Sequence, residues 1–173
     1  MTLRSDQIIN NCFQVRKQHG VAMPSLKQLN LSPMKNSIET LVKDLHDNFS
    51  NNKFDEALAL AADDVVVEAY AFDATFRGKT EFNQFMQGFK MAFPDMRLNY
   101  KSMVSNGNKV AVEFTATGTH TGDLHTPGGV VLPTGKSVSL NVVEVQTWES
   151  DKLKSIHNYQ DSGSLMRQLG LLN

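Results

Sequence analysis

The sequence predicts an α+β domain in which helices pack on one face of a curved, mostly antiparallel sheet. Three observations carry this expectation. Apolar residues recur at helical spacing in segments before Pro94. Beyond that proline the period changes to that of strands, with β-branched and aromatic residues. The strand-like runs are joined in two places by tight turns, which fit antiparallel neighbours. Helices first and a meander afterwards is the order of an α+β protein.

The elements follow in order. Residues 1–35 are polar, carry Pro24 and Pro33 and keep no long period, so they read as an N-terminal extension with one short helix around Asp6 to Lys17. A single domain is expected over residues 36–173. Asn36 and Glu39 have the spacing of a capping pair. Ile38, Leu41, Val42, Leu45 and Phe49 then form one helical stripe. After the polar SNNK turn, FDEALALAA reads as a short second helix and DDVVVEAY as a strand. Gly78 marks a turn into a third helix, KTEFNQFMQGFKMAF, whose Phe82, Phe85, Met86, Phe89 and Phe93 share a stripe; Pro94 stops it. Four strand-like runs come next: RLNYKSMV, VAVEFTATGTHTG, KSVSLNVVEVQTW and LKSIHNYQ. SNGN is a hairpin turn, because Asn and Gly tolerate positive φ. ESDK is a second tight turn, and GDLHTPGGVVLPTGK is a longer connection rich in Gly and Pro. LMRQLGLL reads as a final helix with Ser162 or Ser164 as cap.

Composition bounds the function. The 173 residues are 40% hydrophobic and 20% charged, which fits one ordinary globular domain. A net charge of −1 supplies no broad basic field, so neither nucleic acid nor an anionic membrane surface is an expected partner. No apolar run approaches the roughly 20 residues that span a bilayer, and the N-terminus lacks a secretory pattern, so a cytoplasmic location is expected. Cys12 is the single cysteine, which rules out an internal disulfide and disfavours a cysteine-based zinc site. His120 and His125, with Asp123 between them, match no standard ligand spacing, so no metal is expected. No GxSxG nucleophile motif and no phosphate loop occur.

The polar residues of the last two strands are the candidate site. Alternate strand residues share a face. Asp161 therefore falls with Tyr159, His157 and Ser155, while Lys154, Ile156, Asn158 and Gln160 take the other side. In the preceding strand Leu140, Val142, Glu144, Gln146 and Trp148 share one face. A hairpin at ESDK would bring Glu144 near Tyr159 or Asp161. Such a face, mixing carboxylates, His, Tyr and Trp with aliphatics, has the character of a pocket wall, and burial would raise a carboxylate's pKa toward use as a general acid or base. Each residue also has a plain structural reading. Asp161 is a good cap for the final helix, Glu144 a solvated strand residue, and His157 and Tyr159 hydrogen-bonded core residues.

The segments DDVVVEAY, RGKTEFNQFMQGFKMAFPDMRLNY, NKVAVEFTATGTHTGD, PTGKSVSLNVVEVQTW and DKLKSIHNYQDSGSLMRQLGLL, in this order, resemble the SnoaL-like polyketide cyclases, or ester cyclases. GTHTG, PTGK and the D-x-x-x-L-x-x-QLG ending are the most specific pieces. That family lies within the nuclear-transport-factor-2-like, ketosteroid-isomerase-like superfamily. The resemblance implies a cone-shaped curved sheet packed against N-terminal helices around one deep apolar pocket. It implies homo-oligomers, with a dimer as the first expectation, and no metal or organic cofactor. It implies a general acid/base aspartate at the end of the last strand, matching Asp161. This base would take a proton next to a carbonyl, and the enolate would close an aldol ring. Glu144 stands where these cyclases commonly carry a histidine. The expectation is therefore a cofactor-free cyclase, isomerase or lyase acting on a small apolar carbonyl compound. Its catalytic set would be Asp161, Glu144 and His157, and its substrate wall Tyr159, Trp148, Phe85, Met86 and Phe89. The alternative is a non-catalytic binding or protein-interaction module on the same fold.

Overall fold

The structure is a computed structural model and describes residues 36–172. These belong to a compact unit spanning Ser32–Asn173. The expected extension over residues 1–35, with its short helix, lies outside the described residues.

Helix α1 runs Ile38–Ser50. Its cap is Ser37, whose side chain accepts from the Thr40 N–H at 3.2 Å. The expected Asn36–Glu39 pair does not form, because Glu39 accepts from the Ser105 hydroxyl at 2.6 Å and is held by a strand instead. The apolar stripe is buried as its spacing predicts, and His46 is buried with it. At the far end the Ser50 carbonyl accepts from Lys90 Nζ at 3.1 Å and Arg97 Nη1 at 2.8 Å. Two cations on a helix C-terminus complement its dipole. Lys90 also donates to the Met96 carbonyl at 2.7 Å, and burial lowers its pKa.

Helix α2, Phe54–Leu60, is shorter than FDEALALAA. Ala61 already pairs with Leu153 and opens strand β1, Ala61–Ala69. A single 3-10 turn, Tyr70–Phe72, then leads to β2, Ala74–Arg77, which pairs antiparallel with β1. Four residues with shallow alternation leave β2 little period to read, and the sequence did not single it out. Helix α3, Gly78–Ala92, buries Phe82 and Met86, with Phe85 and Phe89 half-buried beside them.

Strands β3 (Arg97–Asn106), β4 (Lys109–Thr119), β7 (Ser137–Glu149) and β8 (Lys152–Gln160) are the four runs expected. The connection before β7 holds a small hairpin of its own, β5 (Leu124–Thr126) with β6 (Gly129–Val131). The main sheet has the order β2-β1-β8-β7-β4-β3. All neighbours are antiparallel except β1 and β8, which run parallel. The β7–β8 turn places Ser150 and Asp151 at φ 49° and 61°, the left-handed pair that a two-residue hairpin needs.

Along β7 the alternation is strict: Val138, Leu140, Val142, Glu144, Gln146 and Trp148 are all buried. On β8 a bulge interrupts it. Trp148 pairs with Leu153 but Thr147 with Ser155, so Lys154 is extra and Leu153 and Ile156 both point inward. Helix α4, Ser162–Leu169, closes the chain and buries Leu165 and Leu169. Its Gln168 side chain accepts from the Ser139 N–H at 2.7 Å and donates to the Ser139 carbonyl at 3.2 Å, which ties it to β7. No helix among the described residues is long and apolar enough to cross a membrane.

The segment leading to β5 is held on α3 by backbone. Thr121 and Gly122 both donate to the Ala92 carbonyl at 3.1 Å. A Cβ at Gly122 would sit 1.9 Å from the Met91 carbonyl oxygen, so the close approach requires glycine. Gly122→Ala is expected to cost about 1–3 kcal/mol, the usual range for forced overpacking. Chemical denaturation checks it, and an unchanged midpoint would show that the segment does not sit against α3.

Candidate active site

Helices α1, α3 and α4 and the inner sheet face enclose a cleft whose lining is almost wholly apolar. Leu45, Phe82, Phe85, Met86, Phe89 and Phe93 come from the helices and the residue after α3, and Phe114, Leu140 and Val142 from the sheet. Four polar side chains break this lining: His46, Glu144, Asn158 and Gln160.

The register explains why these four meet. Glu144 pairs across the β7–β8 ladder with Asn158, and Val142 with Gln160, so all lie on the inner face. His46 reaches them from α1, one turn after Val42 on the buried stripe. Glu144 is 6% exposed and accepts three hydrogen bonds. His46 Nε2 lies 3.2 Å from its Oε2, Gln146 Nε2 donates to the same oxygen at 2.7 Å, and Asn158 Nδ2 donates to Oε1 at 2.9 Å. The Trp148 indole N–H donates to Gln146 Oε1 at 2.9 Å and fixes that amide.

Burial alone would push the Glu144 carboxyl up. The hydrogen bond and charge of His46, with the Gln146 and Asn158 amides, outweigh it and hold the group below the usual carboxylate range. An ionised carboxylate only accepts, so the His46 Nε2 that faces it carries the proton. No hydrogen bond engages His46 Nδ1 among the described residues. Two polar atoms of the lining are buried without a partner among the described residues: Asn158 Oδ1, an acceptor, and Gln160 Nε2, a donor.

The structure corrects the placement expected for Asp161. It caps α4, accepting from the Ser164 N–H at 3.0 Å, and its other oxygen lies 3.4 Å from Arg167 Nη2. Its side chain is 65% exposed and it does not line the cleft. His157 and Tyr159 also lie on the outer face of β8. His157 Nδ1 is 3.1 Å from the Tyr70 hydroxyl and 3.9 Å from Glu68, and the exposed Tyr159 ring packs on Tyr70 at 4.7 Å. The face of β8 that holds Asp161 is thus turned away from Glu144, not toward it. Trp148 is fully buried behind Gln146 and lines no part of the cleft. Phe85, Met86 and Phe89 do line it.

His46, Asn158 and Gln160 escaped the sequence reading as site residues. A histidine inside an otherwise apolar helical stripe was the available signal for the first. The others lay on the face of β8 that was not favoured. Away from the cleft, His120 is buried against Phe93 and accepts from the Thr134 N–H at Nδ1, at 3.3 Å, while His125 is exposed on β5. No group of three or more metal-ligating side chains gathers among the described residues.

A depressed carboxyl pKa stabilises the fold above its unfolded value of about 4.5, and this stability is lost as pH falls through the lower folded value. Glu144→Gln brings a donor to a place already filled by donors and is expected to cost about 1–3 kcal/mol near neutral pH. Melting temperatures from pH 3 to 7 should show the gap between wild type and variant closing only in the acid range. A gap that is constant, or that widens toward acid, would contradict the assignment.

Among curated proteins nothing matches. Among solved structures, AclR from Streptomyces galilaeus, a proposed hydroxylase, is 25% identical with a TM-score of 0.67, over 78% of this chain and 85% of that one. IdmH from Streptomyces antibioticus, a proposed polyketide cyclase, is 22% identical with a TM-score of 0.66, over 78% and 99%. A protein from Catenulispora acidiphila with a ketosteroid isomerase-like fold, solved with trimethylamine, is 15% identical with a TM-score of 0.65, over 76% and 92%. The fold is therefore the ketosteroid-isomerase-like, nuclear-transport-factor-2-like one. The SnoaL-like polyketide cyclase family model matches residues 39–169, most of the chain. With its helices packed over an apolar cleft, this chain belongs to the SnoaL-like polyketide cyclase family.

Proposed function

We propose that the protein is a cofactor-independent acid/base enzyme acting next to a carbonyl of an apolar substrate, with His46 and Glu144 as the proton-transfer pair. The carrying observation is the buried imidazole–carboxylate contact at 3.2 Å inside an apolar cleft. Glu144 holds His46 in the Nε2–H tautomer and stabilises the imidazolium that forms, as a carboxylate does in a catalytic triad. His46 Nδ1 then takes a proton from the carbon beside the carbonyl. The electron pair of that C–H bond passes to the carbonyl oxygen and gives an enolate.

Gln160 Nε2 is the unpartnered donor suited to the enolate oxygen, and Asn158 Oδ1 the acceptor suited to a substrate hydroxyl. The enolate carbon attacks a second carbonyl of the same molecule, forming the C–C bond. His46 returns its proton to the new alkoxide, so the aldol closure is balanced. The cleft contributes by holding the reacting carbons together. Membership of the cyclase family supports this direction of chemistry. Asp161 is left with its capping role.

One observation favours the alternative, a pocket that binds without turnover: Glu144 already accepts from three protein donors, as a structural carboxylate does. Proton exchange separates the two. Wild type is expected to speed deuterium uptake at the carbon between the two carbonyls of methyl acetoacetate, followed by NMR. His46→Gln and Glu144→Gln should each reduce that acceleration by at least about 10²-fold, the lower end of general-base contributions. Asp161→Ala should lose about 0.5–2 kcal/mol of stability as a lost cap and keep its exchange rate. Ligand binding with no exchange would leave the binding reading; loss of exchange in Asp161→Ala with the fold intact would return the role to Asp161.

A further inference from the structure

A second cavity lies on the other side of the aromatic ridge of α3. It is half-open, measures about 400 Å³ and is lined mainly by Phe72, Ala74, Phe76 and Leu124, with the polar Gln84 and His125 among them, so the 3-10 turn, β2, α3 and the β5–β6 hairpin region all contribute. Phe85 and Phe89 belong to the walls of both cavities. They meet edge-on at 5.3 Å, and each leans on a ring of the outer wall, Phe85 on Phe76 at 5.2 Å and Phe89 on Phe72 at 5.7 Å.

The volumes are unequal in an informative way. The inner cavity, beside His46 and Glu144, is only about 60 Å³. Small-molecule sites offer roughly 300–1,000 Å³. The inner cavity therefore holds the reacting end of a ligand and not the whole of it, while the outer one falls within the usual range. Phe85 and Phe89 are the shared wall of the two cavities, so the larger volume nearest the His46 end of a ligand lies beyond these two rings.

Gly88 supplies an independent observation. It lines the outer cavity from the middle of α3, where glycine destabilises a helix relative to alanine. A Cβ there would meet nothing within 4 Å, and the residue is not among the positive-φ glycines. Neither packing nor backbone geometry calls for glycine at this place. A longer side chain at this position would project into open space beside α3.

We propose that the outer chamber receives the apolar tail of the ligand whose carbonyl end binds at His46 and Glu144, so the substrate class is an elongated carbonyl compound with a hydrocarbon tail. This rests on the acid/base reading of the inner cleft. The β5–β6 hairpin, which the proton chemistry leaves unused, becomes the outer wall of the tail site.

The test uses the full chain and a series of probes, the methyl, butyl, hexyl and octyl esters of acetoacetic acid. Calorimetry on wild type is expected to give binding that tightens by up to about fourfold per buried methylene. Gly88→Leu fills the chamber from α3, and Ala74→Met fills it from β2. Either is expected to flatten the dependence on tail length while leaving the methyl ester within about twofold. Tail dependence that survives in both folded variants, none in wild type, or no binding by any ester would overturn the chamber. Deuterium exchange on the same esters separates the two readings. Exchange without a tail effect removes the chamber alone; a tail effect that the variants abolish, without exchange, supports the chamber and removes the proton-transfer role.

Discussion

One desolvated carboxylate sets the terms for this molecule. Glu144 sits on the central inner face of the sheet, where an unpaired charge would cost several kcal/mol. It is tolerated because α1, β7 and β8 each bring a donor to it: His46, Gln146 and Asn158. Of these, the His46 bond fixes the rotation of α1 over the sheet and the Asn158 bond the register of β8 against β7. A one-residue slip of β8 would replace Asn158 by a residue of the other face and leave a lone pair unsatisfied. The packing of three elements and the proposed chemistry therefore depend on one cluster.

Much of the fold was legible because its periods are long and regular. Thirteen residues of β7 alternate without error, and the stripe of α3 from Phe82 to Phe89 turns toward the cleft as its spacing requires. The elements that escaped are the short ones. Strand β2 and the β5–β6 hairpin have three or four residues per strand, too few for a period to stand out. The parallel β1–β8 pair was hidden for another reason: it joins segments about 90 residues apart, with no turn to announce it.

The site was half legible. Glu144 and the wall of Phe85, Met86 and Phe89 were read from pattern. The inner side of β8 was not, because its two faces look alike in chemistry: Ile, Asn and Gln on one, Ser, His and Tyr on the other. The bulge at Lys154 breaks the parity that would otherwise carry over from Leu153. Asp161 drew the proton-transfer role from the family resemblance and the capping role from its place before α4, and its carboxylate meets an otherwise unpaired N–H of that helix. His46 was overlooked because a single polar residue does not disturb an apolar stripe.

The proposed proton transfer depends on Glu144 being an ionised acceptor that orients His46. The direct measurement is a carbon-13 NMR titration of the Glu144 carboxyl, assigned by comparison with Glu144→Gln. A midpoint below the usual glutamate range, with the carboxylate ionised at neutral pH, is the result the account predicts. A midpoint raised above that range would contradict it. Glu144 would then be a buried acid that donates to His46, and the direction of proton transfer drawn here would have to be reversed.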